Sequence, residues 1–384
     1  MGCLKRFARI AGFAAIYAVS ALAATVSNPI TWVDNPDPSI VRVDDAYYMV
    51  TTTMHFAPGV PVMKSTDLSQ WRTVGYAYQT LTNNDEQNLN GGKNLFPLYR
   101  LTKKEKYAKA LHQLFKQIEG QPRTAQGNFW HKKIYPNQIW LDGTYMALPF
   151  YMEYEKTFNG SKNIDDIYKQ LFNVYEIMRD KKTGLYYHGY DSSKSIFWAD
   201  KETGLSRNFW LRSLGWYSMA LLDTLNAAPD RGSDNWQRLQ GIFTELCDSM
   251  LAVQDESGMW YQVPALSGRE SPAPDTSRNY LETSGSAIMA YSLLKGFRTG
   301  VLSDEKYQLA GKKAFEGIVS TYLSTDGGVL SLKGICLVAG LGPEKDRRRD
   351  GSFDYYMSEP VVEDDAKGVG PFILAYNEYK QLKK

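Results

Sequence analysis

The chain is poor in the residues from which metal centres and disulfide frameworks are built. Of its 384 residues, three are cysteine and four are histidine. No His/Cys cluster has ligand spacing, so there is no zinc finger or ribbon and neither a metal nor a cofactor to assign. Cys3 lies in a leader-like start; its removal leaves Cys247 and Cys336, too isolated for a disulfide framework. Charge of one sign is also missing. The 44 Lys and Arg against 42 Asp and Glu give a net charge of +2, which offers no basic field for nucleic acid. The basic run "RRRDGS", from Arg347, is short and reads as a solvated loop. "GLGPEK" has glycines but no strand-to-helix switch around them, which excludes a phosphate loop.

Long apolar runs are scarce as well. The stretch Ile10 to Leu22 is too short to span a bilayer comfortably. Lys5, Arg6 and Arg9 precede it, and Ala21-Leu22-Ala23 ends it as a small-residue site. That pattern predicts a cleavable export signal over residues 1–23, hence a secreted or periplasmic protein with no stable membrane association after cleavage.

What the chain does have is aromatics: 26 Tyr, 16 Phe and 9 Trp. Such rings suit stacking on sugar faces, and they also fill large cores. The texture changes along the sequence. Residues 28–90 read as strands and turns. "PSIVRVDDAYYMVTTTM" is two β-rich runs meeting at Asp44-Asp45, a hairpin, and "VPVMKSTDLSQWRTVGYAY" continues in extended form. Residues 91–384 read as helices, about nine of them, with apolar residues at three-four spacing. Between helix pairs a short extended element recurs: "DKKTGLYYHG", "DESGMWYQV" and "TDGGVLSL". Their glycines, Gly184, Gly258 and Gly328, repeat at about 70-residue spacing, and Gly127 in "AQGNFWHK" is a more divergent copy. A helix, helix, short-strand unit predicts a ring or solenoid of helical hairpins with loops gathered at one end. A closed double ring of six hairpins needs about twelve helices.

One stretch stands out for chemistry. "WHKKIYPNQIWLDGTYM" packs aromatic, basic and amide side chains around a single carboxylate, Asp142. Asp142 precedes a helical run, so an N-cap is one reading. The other is a general acid. Trp140 stands two residues away, His131 and Lys132 lie on the approach, and aromatic walls favour the neutral carboxyl that an acid needs. His188, in "LYYHGYDSSKS", sits where the repeated element meets the loop end, as a structural or a site histidine. Arg212 and Trp216, in "NFWLRSLGWYSM", share a helix face with Trp210 nearby. Arginine suits a carboxylate partner and tryptophan a sugar face; a buried core cluster is the alternative.

The helical part resembles glycoside hydrolase family 105, the unsaturated rhamnogalacturonyl hydrolases, and less closely family 88. The resemblance is carried by "GKNLFPLY", "GNFWHKKIYPNQIWLDGTYM", "LYYHGYDSSKSIFWADKETGLSRNFWLRSLGWYSMALLDTL", "YLETSGSAIMAY" and "DYYMSEPVVEDDAKGVGPFILAYNEY", in the family's order. It implies an (α/α)6 barrel and a small oligosaccharide substrate left by a pectin lyase, with a 4,5-unsaturated uronic acid at its non-reducing end. It also implies a mechanism without the usual two-carboxylate displacement. An aspartic acid protonates C4, water adds at C5, and the resulting hemiketal opens to release the aglycone, here expected to be rhamnose. The family's acid falls on Asp142. His188, Arg212, Trp216, Trp210, Trp140, His131 and Lys132 match its substrate-binding pocket. The family's second functional Asp falls on Gln87 in "QNLNGGK"; Asp85 and Glu86 are out of register. A neutral amide there cannot raise the pKa of Asp142 by charge.

Residues 28 to about 93 resemble something else, the opening of family 43, the five-bladed β-propeller arabinofuranosidases and xylosidases. Asp37 in "NPDPS" matches that family's general base, and the later blades that carry its general acid are missing. The chain therefore reads as a fusion: one propeller blade joined to an (α/α) barrel that lacks roughly its first three helices. The expected activity is hydrolysis of unsaturated uronyl oligosaccharides. An inactive or weakly carbohydrate-binding fusion, and arabinosidase or xylosidase activity, are the alternatives.

Overall fold

The computed structural model describes residues 39–51, 59–78, 95–270, 272–326 and 329–382. Residues 1–23, Asp37, Gln87 and Gly328 lie outside them. The chain divides into two compact units, 1–90 and 91–384.

The first unit is a four-stranded antiparallel meander of β1 (Ser39–Val43), β2 (Ala46–Val50), β3 (Gly59–Ser65) and β4 (Arg72–Tyr78), in sequence order. The expected hairpin is present: Val43 pairs with Ala46 across Asp44-Asp45, and Asp44 takes a φ of 51°. Asp turns tolerate that left-handed conformation, so the twist of the two strands is preserved. A second turn, not anticipated, separates β3 from β4. There Asp67 Oδ1 accepts from the backbone N–H groups of Ser69 and Gln70. Ile40, Val41, Val43 and Val74 are all exposed. A propeller blade would bury such positions against its neighbours.

The second unit is mainly helical. Its elements are α1 (Leu95–Thr102), α2 (Glu105–Glu119), β5 (Gln138–Trp140), α3 (Leu141–Phe158), α4 (Ile164–Met178), β6 (Gly189–Asp191), α5 (Leu211–Ala227), α6 (Asp234–Leu251), α7 (Thr283–Arg298), α8 (Glu305–Tyr322), β7 (Leu323–Asp326), β8 (Val329–Leu332), β9 (Ile335–Cys336), α9 (Phe353–Ser358), β10 (Val361–Val362) and α10 (Ala366–Gln381). The described residues thus hold ten α-helices, against about nine expected, and the short α1 and α9 are the ones the periodicity does not mark.

The helices form two layers. α3, α5, α7 and α10 pack side by side in that order, and α4, α6 and α8 back them. α5 and α7 are buried on nearly every face, as helices flanked on all sides must be. α6 and α8 carry apolar residues on one face only, and their Ser233 and Asp304 caps accept from the Trp236 and Lys306 N–H groups. α5 and α7 cross closely because Gly285 stands against Leu211 and Gly215 against Ile288. The recurring element is an Asp turn. Asp180 accepts from the backbone and hydroxyl of Thr183, Asp200 does the same with Thr203, and Asp255 accepts from Ser257 N–H. The following glycines, 184, 204 and 258, hold φ values of 74°, 80° and 90°, where a side chain would be strained.

The two ends of this arc differ. On α10, Ile373, Leu374 and Tyr376 are exposed. On α3, the helices α1 and α2 cover part of the flank, with Phe96 against Phe150 at 5.3 Å and Phe115 against Tyr154 at 3.8 Å, while Met146 stays exposed. The described residues form an α/α toroid with these two partly exposed flanks.

Candidate active site

Asp142 is not a cap. Strand β5 runs directly into α3, Trp140 occupies the N-cap position, and no side chain caps the helix. Asp142 sits in the first turn, where unpaired N–H groups and the helix dipole favour negative charge. β5 pairs antiparallel with β6, Trp140 facing Gly189. This pairing brings His188, one residue before β6, against the start of α3. His188 Nε2 lies 3.3 Å from Asp142 Oδ2. Both atoms are buried, and among the described residues neither makes a well-aligned hydrogen bond, to each other or to a third group. The Asp142 side chain keeps 17% of its surface exposed, although its Oδ2 is buried, while His188 keeps none and backs it.

The walls are aromatic. Trp140 stands edge-on to His188 at 5.5 Å and Trp210 tilts against it at 4.8 Å. His131 stacks on Trp140 at 4.1 Å, with Tyr135 on the same indole at 4.9 Å. Gly143 makes room for His131: a Cβ there would stand 3.0 Å from its Nδ1. Burial holds His131 down at about 4, so it is neutral at ordinary pH.

The carboxyl of Asp142 departs from the expectation. Burial raises its pKa, but the hydrogen bond and charge of His188, the charge of His131 and its own backbone N–H lower it, and the net direction is down. Aromatic walls alone do not keep this acid protonated.

A cavity of about 590 Å³ lies beside the carboxyl. It is lined by Gly143, Met146, Ala147 and Phe150 of α3, and by Leu114 and Ile118 of α2. Those spacings are helix faces, so the cavity is the groove between α2 and α3. His131, Lys132, Trp140 and Tyr145 join it to the site; Asp142 does not itself line it.

The remaining predicted residues divide. Trp210 is in the site and donates from Nε1 to Gln262. Arg212 lies over Trp210 at 4.7 Å, but its N–H groups go to Ser284 Oγ at 3.0 Å and the carbonyls of Cys336 and Leu337 at 2.5 and 3.5 Å. It is a buried arginine held by a hydroxyl and two carbonyls, the second of the two readings given for it above. Trp216 stacks on Tyr145, which lines the cavity, at 5.2 Å. Lys132 is exposed at the rim. Tyr356, whose hydroxyl is 2.8 Å from His188 Nδ1, was not anticipated. Its only signal in the sequence was the aromatic pair in "DYYMSEP".

The profile of Glycosyl Hydrolase Family 88 matches residues 61–383, and that of Glycosyl hydrolases family 43 matches residues 26–94. A glycoside hydrolase from family 105 of C. acetobutylicum is similar in structure, with a TM-score of 0.70 and 46% identity over 78% of this chain and 80% of that one. A protein of Agrobacterium fabrum is 40% identical over 237 residues, 61% of this chain and 97% of its own length. The unsaturated rhamnogalacturonyl hydrolase YesR of Bacillus subtilis is 23% identical over 209 residues, 53% of this chain and 56% of its own.

Proposed function

The chain belongs to glycosyl hydrolase family 88, and from that membership we propose that it removes the unsaturated uronyl residue from rhamnogalacturonan-derived oligosaccharides, with Asp142 as the proton donor. The observation that carries this reading is the Asp142–His188 pair: a partly open carboxyl, backed by a buried imidazole, between Trp140 and Trp210. The unsaturated rhamnogalacturonyl hydrolase of Bacillus subtilis, a relative of this chain, supports the substrate class.

The Asp142 carboxyl gives its proton to C4 of the enol ether, and positive charge develops at C5 and the ring oxygen. Water adds at C5 and its proton returns to the Asp142 carboxylate. The hemiketal opens and the aglycone leaves. Trp140 and Trp210 wall the sugar and exclude bulk water, and Lys132 at the rim attracts its acidic group.

Because the Asp142 carboxyl is lowered in the free protein, it is ionised at neutral pH. The substrate brings its own carboxylate, and that like charge raises the acid. Activity therefore falls as pH rises. The test is to supply lyase-generated oligosaccharides and follow the ultraviolet band of the conjugated double bond. The band is lost with wild-type chain and persists with Asp142→Asn. A folded wild type that leaves the band intact refutes the proposal.

One observation favours a second reading, binding without turnover: the partly exposed flanks at Met146 and at Ile373, Leu374 and Tyr376. Persistence of the band together with saturable binding of the same oligosaccharides would select it. With the export signal expected over residues 1–23, the proposed activity is exported, and the N-terminal sequence of the mature chain tests that.

A further inference from the structure

The Asp142–His188 contact continues one residue further, to a group the reaction above does not use. His188 Nδ1 lies 2.8 Å from the hydroxyl of Tyr356 on α9. Tyr356 is completely buried, and its ring stacks against Trp210 at 6.3 Å. Among the described residues its hydroxyl has no other hydrogen-bond partner. Burial also holds the phenol well above its usual range, so the O–H keeps its proton at every ordinary pH. A buried O–H must be donated to something, and Nδ1 is what stands there. An imidazole nitrogen that accepts carries no proton, so the neutral ring of His188 holds its proton on Nε2. Nε2 is the atom that faces Asp142.

We propose that Tyr356 is a positioning residue: it pins His188 in the Nε2–H tautomer, so that the atom facing Asp142 is a donor and not an acceptor. A donor at that place favours the carboxylate; an acceptor would favour the acid. Tyr356, acting through His188, therefore sets the pH at which Asp142 carries the proton it must deliver. The other titratable groups around the three residues do not supply this. His131 also lowers the Asp142 carboxyl once it is charged, but burial holds it down at about 4 and it touches neither ring nitrogen of His188, so it does not choose the tautomer. Arg212 reaches Trp210 but spends its N–H groups on Ser284 and two carbonyls. Tyr355, Asp350 and the Cys336 thiol act on Tyr356 through space without accepting its proton.

The catalytic consequence rests on the proposed role of Asp142; the tautomer does not, and the test separates the two. The full chain is labelled with 15N-histidine, and its four rings are resolved with His188→Gln as the assignment control. At neutral pH His188 is expected to show a protonated Nε2 and an unprotonated Nδ1. A protonated Nδ1 in the wild type overturns the proposal, whether or not the chain is active. In Tyr356→Phe the tautomer is no longer pinned, and the basic limb of kcat/KM moves to higher pH. A merely structural tyrosine would lower kcat and leave that limb in place, and that result also overturns the proposal. If Tyr356→Phe does not fold, the wild-type spectrum decides alone. Retained activity in Asp142→Asn would remove the proposed reaction while the spectrum still decides the tautomer.

Discussion

Replacing His131 with phenylalanine should make the helical unit more resistant to acid. The imidazole stacks on Trp140 at 4.1 Å and its buried Nδ1 has no partner among the described residues. Burial lowers it from 6.5 to about 4, against an opposing attraction to Asp142. Between those two values the unfolded chain binds a proton that the folded chain refuses. The stability contribution is therefore fully present above the unfolded value and is lost as pH falls through the folded one. At one pKa unit per 1.36 kcal/mol, the loss is about 1.4 kcal/mol at pH 5.5 and about 2.5 kcal/mol at pH 4.5. Phenylalanine keeps the stacked ring and cannot titrate. Urea titrations of both proteins at neutral pH and at about pH 4.5 read the difference directly. The variant should gain about 2 kcal/mol on the wild type between the two conditions. An unchanged gap would mean that His131 takes its proton in the folded state, and the buried, stacked geometry would be wrong.

Two further outcomes test the packing. Gly285→Ala places a Cβ 3.1 Å from the Arg212 backbone nitrogen and closer still to Leu211; forcing α5 from α7 costs about 2 kcal/mol, and an unaltered thermal midpoint would refute the close crossing. Ile373→Lys on the bare flank of α10, 51% exposed, should change stability by less than about 0.5 kcal/mol and reduce self-association in sedimentation. A loss of about 2 kcal/mol or more would show that another segment covers that flank and that the ring closes.

Local features were legible because local chemistry decides them. The Asp44-Asp45 hairpin and the Asp-turn-Gly copies at Gly184 and Gly258 each lie within a few residues and formed as read, while the third copy, at Gly328, falls outside the described residues. Helix periodicity located the long helices. It missed α9, because six residues hold too little pattern. The site was legible only in part. Trp140, Asp142, His188 and Trp210 do converge, but what each touches depends on distant backbone. Arg212 is engaged by carbonyls 124 and 125 residues away, and Tyr356 meets His188 across 168. No spacing in the sequence encodes such partners.

The same distance explains why the acidity of Asp142 was misjudged. Its aromatic neighbours are adjacent in sequence and push the carboxyl toward its neutral form. The groups that win are a histidine brought in by the pairing of β5 with β6, a second histidine packed on Gly143, and an amide of the first turn of α3. In the reaction proposed above, an acid held ionised in the free protein must first take up a proton, and the carboxylate of an entering unsaturated uronate favours that uptake by its like charge. A neutral analogue lacking the carboxylate should therefore lose turnover, and not only affinity, because its binding leaves Asp142 without the proton it has to give.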